Sequence, residues 1–147
     1  SRSYGVDYRD VAYGNGPRST PTVFHGRVYT LGAVGHLLCL DADDGEIVWS
    51  KDLVRDFNAQ VPIWGLSASP VVFEDLLIVH VGAQPDGCYQ AFDLQTGRER
   101  WRSLPDPAGY ATPVLIDRDG TVLFSVDGQL SDMQIQELLG LIRKRMN

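Results

Sequence analysis

Residues 39–49 and 91–101 are two copies of one short pattern, and that repetition limits what this chain can become more than any other feature. The first copy reads Cys39-Leu40-Asp41-Ala42-Asp43-Asp44-Gly45-Glu46-Ile47-Val48-Trp49 and the second Ala91-Phe92-Asp93-Leu94-Gln95-Thr96-Gly97-Arg98-Glu99-Arg100-Trp101. Asp41, Gly45 and Trp49 recur as Asp93, Gly97 and Trp101, offset by 52 positions. A second element precedes each copy: Ser19-Thr20-Pro21-Thr22-Val23, then Ala68-Ser69-Pro70-Val71-Val72. It returns a third time as Ala111-Thr112-Pro113-Val114-Leu115. Recurrence on this scale marks supersecondary units that stack, because no single unit buries its apolar face alone.

The residues inside one unit say what it is. Pro21 opens a short strand, where its missing N–H costs no ladder bond. Gly26 turns the chain into a second strand over 27–32, and Gly35 into a third over 36–41. Ala42-Asp43-Asp44-Gly45 is a tight turn in which glycine supplies the positive φ that other residues resist. A fourth strand over 46–49 ends the unit. Four short antiparallel strands joined by Gly- and Asp-rich turns make one propeller blade, so the fold class is all-β. Asp41 and Asp93 are placed to accept hydrogen bonds from turn amides. Trp49 and Trp101 are expected between neighbouring blades, where a flat ring buries a large area.

The expected organisation is an N-terminal segment (1–18), two complete blades (19–49 and 68–101) and a third, partial blade (110–130). In the third, the Asp-x-x-x-Gly-x-x-x-Trp pattern does not arrive. Instead Ser131-Asp132-Met133-Gln134 fits a helix-capping box. Ile135, Leu138, Leu139, Ile142 and Met146 then form an apolar stripe, which predicts a C-terminal amphipathic helix over 131–147. An open blade edge is a liability unless paired. The expected partner is therefore a second copy closing a ring, or another protein, unless the chain is a fragment of a longer one.

With 44% hydrophobic and 22% charged residues the chain has the composition of an ordered globular domain. A formal charge of −6 argues against nucleic acid or an anionic membrane as the main partner. The one dense basic run, Arg143-Lys144-Arg145, complements a helix C-terminus. No apolar stretch reaches the ~20 residues that span a bilayer, and the polar opening Ser1-Arg2-Ser3 is no signal peptide, although a mature exported chain would begin the same way. Cys39 and Cys88 lack metal-ligand or redox spacing and are expected as free buried thiols. The acidic turn at Asp41, Asp43, Asp44 and Glu46 lacks the sixth-position Gly and twelfth-position Glu of a calcium loop. His25, His36 and His80 share no ligand spacing and are expected on turns or strand surfaces. No nucleophile elbow, phosphate loop or dinucleotide fingerprint is present, so neither metal nor cofactor is expected.

The Asp-x-x-x-Gly-x-x-x-Trp repeat resembles the tryptophan-docking motif of quinoprotein-like propellers. That family includes pyrroloquinoline-quinone-dependent alcohol dehydrogenases and cofactor-free relatives, among them an outer-membrane assembly lipoprotein. Tyr13-Gly14-Asn15-Gly16-Pro17-Arg18 and Ile63-Trp64-Gly65-Leu66-Ser67-Ala68-Ser69-Pro70 resemble the cofactor-free bacterial repeat proteins most. The resemblance covers about residues 11–130. It implies an extracytoplasmic (periplasmic) location and a central channel lined by the first strand of each blade, with Arg18, Trp64, Ser67 and Tyr110 near its mouth. Trp64 then either binds a ligand or fills a gap between blades, and Arg18 either binds or pairs with a carbonyl or carboxylate. The dehydrogenases need a quinone and calcium held by Glu, Asn and a catalytic Asp, and some have a vicinal Cys pair. Cys39 and Cys88 cannot form that pair, and no catalytic Asp aligns. The resemblance therefore implies a non-catalytic binding module or scaffold, the alternative being a fragment of such a dehydrogenase. The tail from Ala111 onward is also similar to the C-terminus of thioredoxin-like domains, which would make Pro113 a cis-proline. No Cys-x-x-Cys is present to give that likeness thiol chemistry.

Overall fold

The computed structural model describes residues 17–116 and 121–124. Thr22–Phe24 (β1), Arg27–Leu31 (β2), His36–Asp41 (β3) and Ile47–Asp52 (β4) form a four-stranded antiparallel sheet in chain order. Val71–Phe73 (β5), Leu76–Ala83 (β6), Gly87–Asp93 (β7) and Glu99–Ser103 (β8) repeat that meander in a second sheet. Two up-and-down, four-stranded blades are the unit of an all-β propeller. Between β4 and β5 runs Leu53–Phe57 (α1), a single helical turn. The Asp52 side chain caps it by accepting the Arg55 N–H, and Asn58 ends it in the left-handed conformation.

Alternation decides which face of each strand is buried. In the first blade Tyr29 and Leu31 of β2 lie beside Cys39 and Leu37 of β3, in register, and all four are buried. They meet Leu77, Val79 and Val81 of β6 and Phe92 of β7, so the core is the seam between the two blades. Leu53 of α1 and Leu66 of the β4–β5 connection belong to the same core. Burying such side chains is worth roughly 1.5–3 kcal/mol each, which neither sheet gains alone.

The chain divides after Thr112. In the unit that begins at Pro113, Leu115–Ile116 (β9) pairs antiparallel with Val122–Phe124 (β10). The sequence-based expectations for these elements differ from the structure at two places. The fourth strand of the first blade runs on to Asp52 and continues into α1, which has too few residues for a helical period to show. The peptide bond before Pro113 is trans, the one cis bond among the described residues being Gln84–Pro85. The amphipathic helix expected over 131–147 lies outside the described residues, as do residues 1–16 of the N-terminal segment.

Candidate functional site

Each repeat turn is built around its aspartate. Asp41 Oδ1 accepts the Asp43 N–H at 3.0 Å, and its carboxylate pairs with Arg27. Asp93 Oδ1 accepts the N–H of Gln95 (3.1 Å) and of Thr96 (2.9 Å), and also the Thr96 hydroxyl (2.8 Å). Arg100 reaches Asp93 Oδ2 at 3.1 Å. Amide donors hold both carboxyls below the usual carboxylate range, led by the Asp43 N–H at Asp41 and the Thr96 N–H at Asp93. Gly45 and Gly97 close the turns by donating to the carbonyls of Asp41 and Asp93.

The tryptophans of the two repeats are not equivalent. Trp49 is 9% exposed, and its Nε1–H donates to the Leu94 carbonyl of the next blade's turn at 2.9 Å. Tyr29 donates its hydroxyl to the same carbonyl at 3.3 Å, and burial pushes that phenol well up. Trp101 is 39% exposed, and among the described residues no further turn of this kind follows it. Gly97 thus serves two purposes, since it takes a positive φ of 65° and also lies under the Trp49 indole.

The residues before the repeat prolines join the blades. The Thr20 N–H donates to Ser69 Oγ at 2.9 Å, and the Ser69 N–H donates to Thr112 Oγ1 at 3.0 Å. A hydroxyl residue precedes Pro21, Pro70 and Pro113 alike, and each link passes from an amide to the next hydroxyl. Sequence reasoning found the element without its role. The available signal was the hydroxyl at all three positions.

Trp64, Ser67 and Tyr110 come together on the connections that leave the blades. Leu66 is fully buried and donates its N–H to the Ala33 carbonyl at 2.8 Å. Gly65, at φ +77°, lies so close that a Cβ would stand 2.9 Å from that of Ala33. With Leu66 anchored inward, Trp64 stays outside, 51% exposed, beside the still more exposed Ile63. The Tyr110 ring lies 5.3 Å from that of Trp64, tilted by 42°, and the Ser67 hydroxyl donates to the Tyr110 carbonyl at 3.3 Å. Arg18 is half-buried on the segment that enters β1.

Tyr110 belongs to a strap, residues 104–112, that runs back along the second blade. The Cys88 N–H donates to the Leu104 carbonyl (3.0 Å), the Gln84 amide nitrogen to Pro105 O (3.4 Å), and the Gly109 N–H to His80 Nε2 (3.0 Å). His80 Nδ1 lies 3.3 Å from the Ala111 carbonyl. The expectation that His80 sits on a turn or strand surface is therefore corrected. It is 7% exposed on β6, covered by the strap and stacked on Tyr89 at 4.6 Å between ring centres. Cys39 and Cys88 are free and buried, and burial raises both thiols above their ordinary value. They lie in different sheets.

Among the described residues no three His, Cys, Asp or Glu side chains gather as metal ligands. No helix among them is long and apolar enough to cross a membrane.

Residues 8–141 match the family model described as outer membrane protein assembly factor BamB. Quinohemoprotein alcohol dehydrogenase ADH-IIG of Pseudomonas putida is 33% identical over 93 residues, 62% of this chain but only 13% of that enzyme. Among solved structures, quinohemoprotein alcohol dehydrogenase from Comamonas testosteroni is similar at 27% identity and a TM-score of 0.45. The match covers 56% of this chain and 12% of that one. BamB from Moraxella catarrhalis is similar at 23% identity and a TM-score of 0.43, over 56% of this chain and 22% of that one. The chain thus spans a small part of the length of each of these relatives. With the match extending over nearly all of its residues, this chain belongs to the family of the outer membrane protein assembly factor BamB.

Proposed function

We propose that this chain is a non-catalytic propeller module that binds a protein or small polar ligand through the connections carrying Trp64, Ser67 and Tyr110. The observation that carries the reading is the Trp64–Tyr110 ring pair. Two large aromatic side chains are held 5.3 Å apart and half-exposed by buried anchors on either side. Rigid, partly exposed aromatic residues on loops are the usual energetic centres of binding surfaces. Arg18 joins this face as an auxiliary contact. The location is extracytoplasmic, by likeness to family relatives, and the partner is a second copy or another envelope protein.

The test is retention of an envelope protein on the immobilised 147-residue chain, compared with a Trp64→Ala/Tyr110→Ala variant of equal melting temperature. Loss of about tenfold or more in affinity, the scale of a binding hot spot, supports the reading. Equal retention by both proteins overturns it. Molar mass by light scattering separates a second copy, which gives a discrete oligomer, from a foreign partner.

The similarity to quinohemoprotein alcohol dehydrogenase favours one second reading, a fragment of a pyrroloquinoline-quinone-dependent enzyme. Calcium-dependent quenching of tryptophan fluorescence by added quinone supports it. A flat titration in a discrete, ring-closing oligomer rules it out.

A further inference from the structure

Two of the bonds that fasten the strap carrying Tyr110 come from His80, and their chemistry is determined by geometry. A backbone N–H can only donate, so the 3.0 Å contact from the Gly109 N–H requires a lone pair on His80 Nε2. The ring proton then resides on Nδ1 and points at the Ala111 carbonyl, 3.3 Å away. The two bonds bracket Tyr110 on both sides. They require the neutral ring in one tautomer, and stacking on Tyr89, its cross-strand partner in β7, keeps the ring in place. Gly109 itself packs on the ring, since a Cβ there would stand 3.0 Å from His80 Cε1.

We infer that His80 is the positioning residue that holds Tyr110 against Trp64, and that protonation of its ring releases the Gly109 side of the strap. A protonated imidazole has two donors and no acceptor, so the Gly109 N–H would face another N–H. The bond to Ala111 survives that change and the bond to Gly109 does not. The strap therefore loosens on the side leading into Tyr110 while staying tethered beyond it. From β7, Tyr89 packs on the ring, and Cys88 is its neighbour in the chain. Burial raises both groups, and Asp106, the charged group of the strap that acts on Tyr89 and Cys88, adds to each.

The consequence for binding rests on the reading of Trp64 and Tyr110 as a contact surface, while the positioning role does not. The experiment is ¹⁵N NMR on the full chain, titrated downward from about pH 8 until the His80 ring nitrogens report protonation. The amides of Gly109 and Thr96, the His80 ring nitrogens and the Trp64–Tyr110 ring NOEs are followed together. The Thr96 N–H, bonded to the Asp93 carboxylate, serves as an internal reference. The expected result is that the Gly109 amide shifts with the His80 ring and loses about fivefold in exchange protection, the weight of one ordinary hydrogen bond. The Trp64–Tyr110 NOEs weaken in step, and Thr96 holds still. His80→Gln abolishes the pH dependence, and Tyr89→Phe, which keeps the stack, retains it. A Gly109 amide that ignores the His80 titration overturns the inference, as do ring NOEs that persist through it. If partner retention fails the Trp64/Tyr110 test but these signals titrate together, the binding reading fails and the latch stands.

Discussion

The Trp49 indole lies flat over Gly97 of the following blade, so close that a Cβ on Gly97 would stand 2.7 Å from Cδ2 of the ring. The first repeat's tryptophan and the second repeat's glycine are thus two halves of one joint. Gly45 has the same turn conformation, φ +75° against +65°, but its Cβ direction meets no atom within 4 Å. Comparing the two glycines separates backbone strain from packing. Gly45→Ala is expected to cost about 1–2 kcal/mol, the penalty of a left-handed L-residue. Gly97→Ala adds the displacement of a buried ring, about 1–3 kcal/mol more. Urea denaturation of the two variants checks the order, and equal losses would mean that the joint contributes nothing.

Removing the rings should show the same asymmetry. Trp49→Ala is expected to destabilise by about 3–5 kcal/mol, as for other buried aromatics. It also strips the Leu94 carbonyl of its indole donor, leaving the longer Tyr29 bond. Trp101→Ala, at a site 39% exposed, should cost clearly less. Thermal melts of both variants at one protein concentration give the comparison.

The hydroxyl relay predicts effects that cross from one blade to the next. Ser69→Ala deprives the Thr20 N–H of its acceptor, and Thr112→Val does the same to the Ser69 N–H. Each loss is expected to cost about 1–3 kcal/mol, the penalty for a part-buried donor left unpaired. Amide hydrogen exchange reads it residue by residue. In Ser69→Ala the Thr20 amide should lose protection, although the substitution lies at the entry to the other blade.

Acid should loosen the repeat turns in a defined direction. The Asp93 carboxyl is held below its ordinary value, so it binds protons less readily folded than unfolded. Its contribution is therefore fully present above the unfolded-state value near 3.9 and is lost as pH falls through the lower folded value. Asp93→Asn keeps an oxygen acceptor for the turn amides but no titrating group. Its stability, measured by denaturant titration between about pH 6 and pH 2, should fall less steeply with acid than that of the native chain. Parallel curves would assign the acid sensitivity elsewhere.

Much of the blade could be read before any coordinates, because its determinants are local. The Asp-x-x-x-Gly turn closes on its own amides within five residues, and β3 begins and ends at His36 and Asp41, as the flanking glycine and turn imply. Alternating side chains set the buried face without reference to distant partners. The short α1 was not legible, since five residues show no helical period and its cap, Asp52, looks like the end of a strand.

What the sequence by itself determined is the repeating unit: strands, turns and the positions of Asp, Gly and Trp, all of them effects acting within a few bonds. Only the tertiary structure decided what those positions meet. It separated Trp49 from Trp101, although their local sequences are alike, by seating one on the next turn and leaving the other exposed. It linked Thr20 to Ser69 and Ser69 to Thr112 across more than forty residues each. It also buried His80, which has no local pattern, beneath a strap that comes from 29 residues further along the chain. The physical reason is that burial and hydrogen-bond partnership belong to pairs of surfaces, and the second surface of each pair is supplied by a different part of the fold.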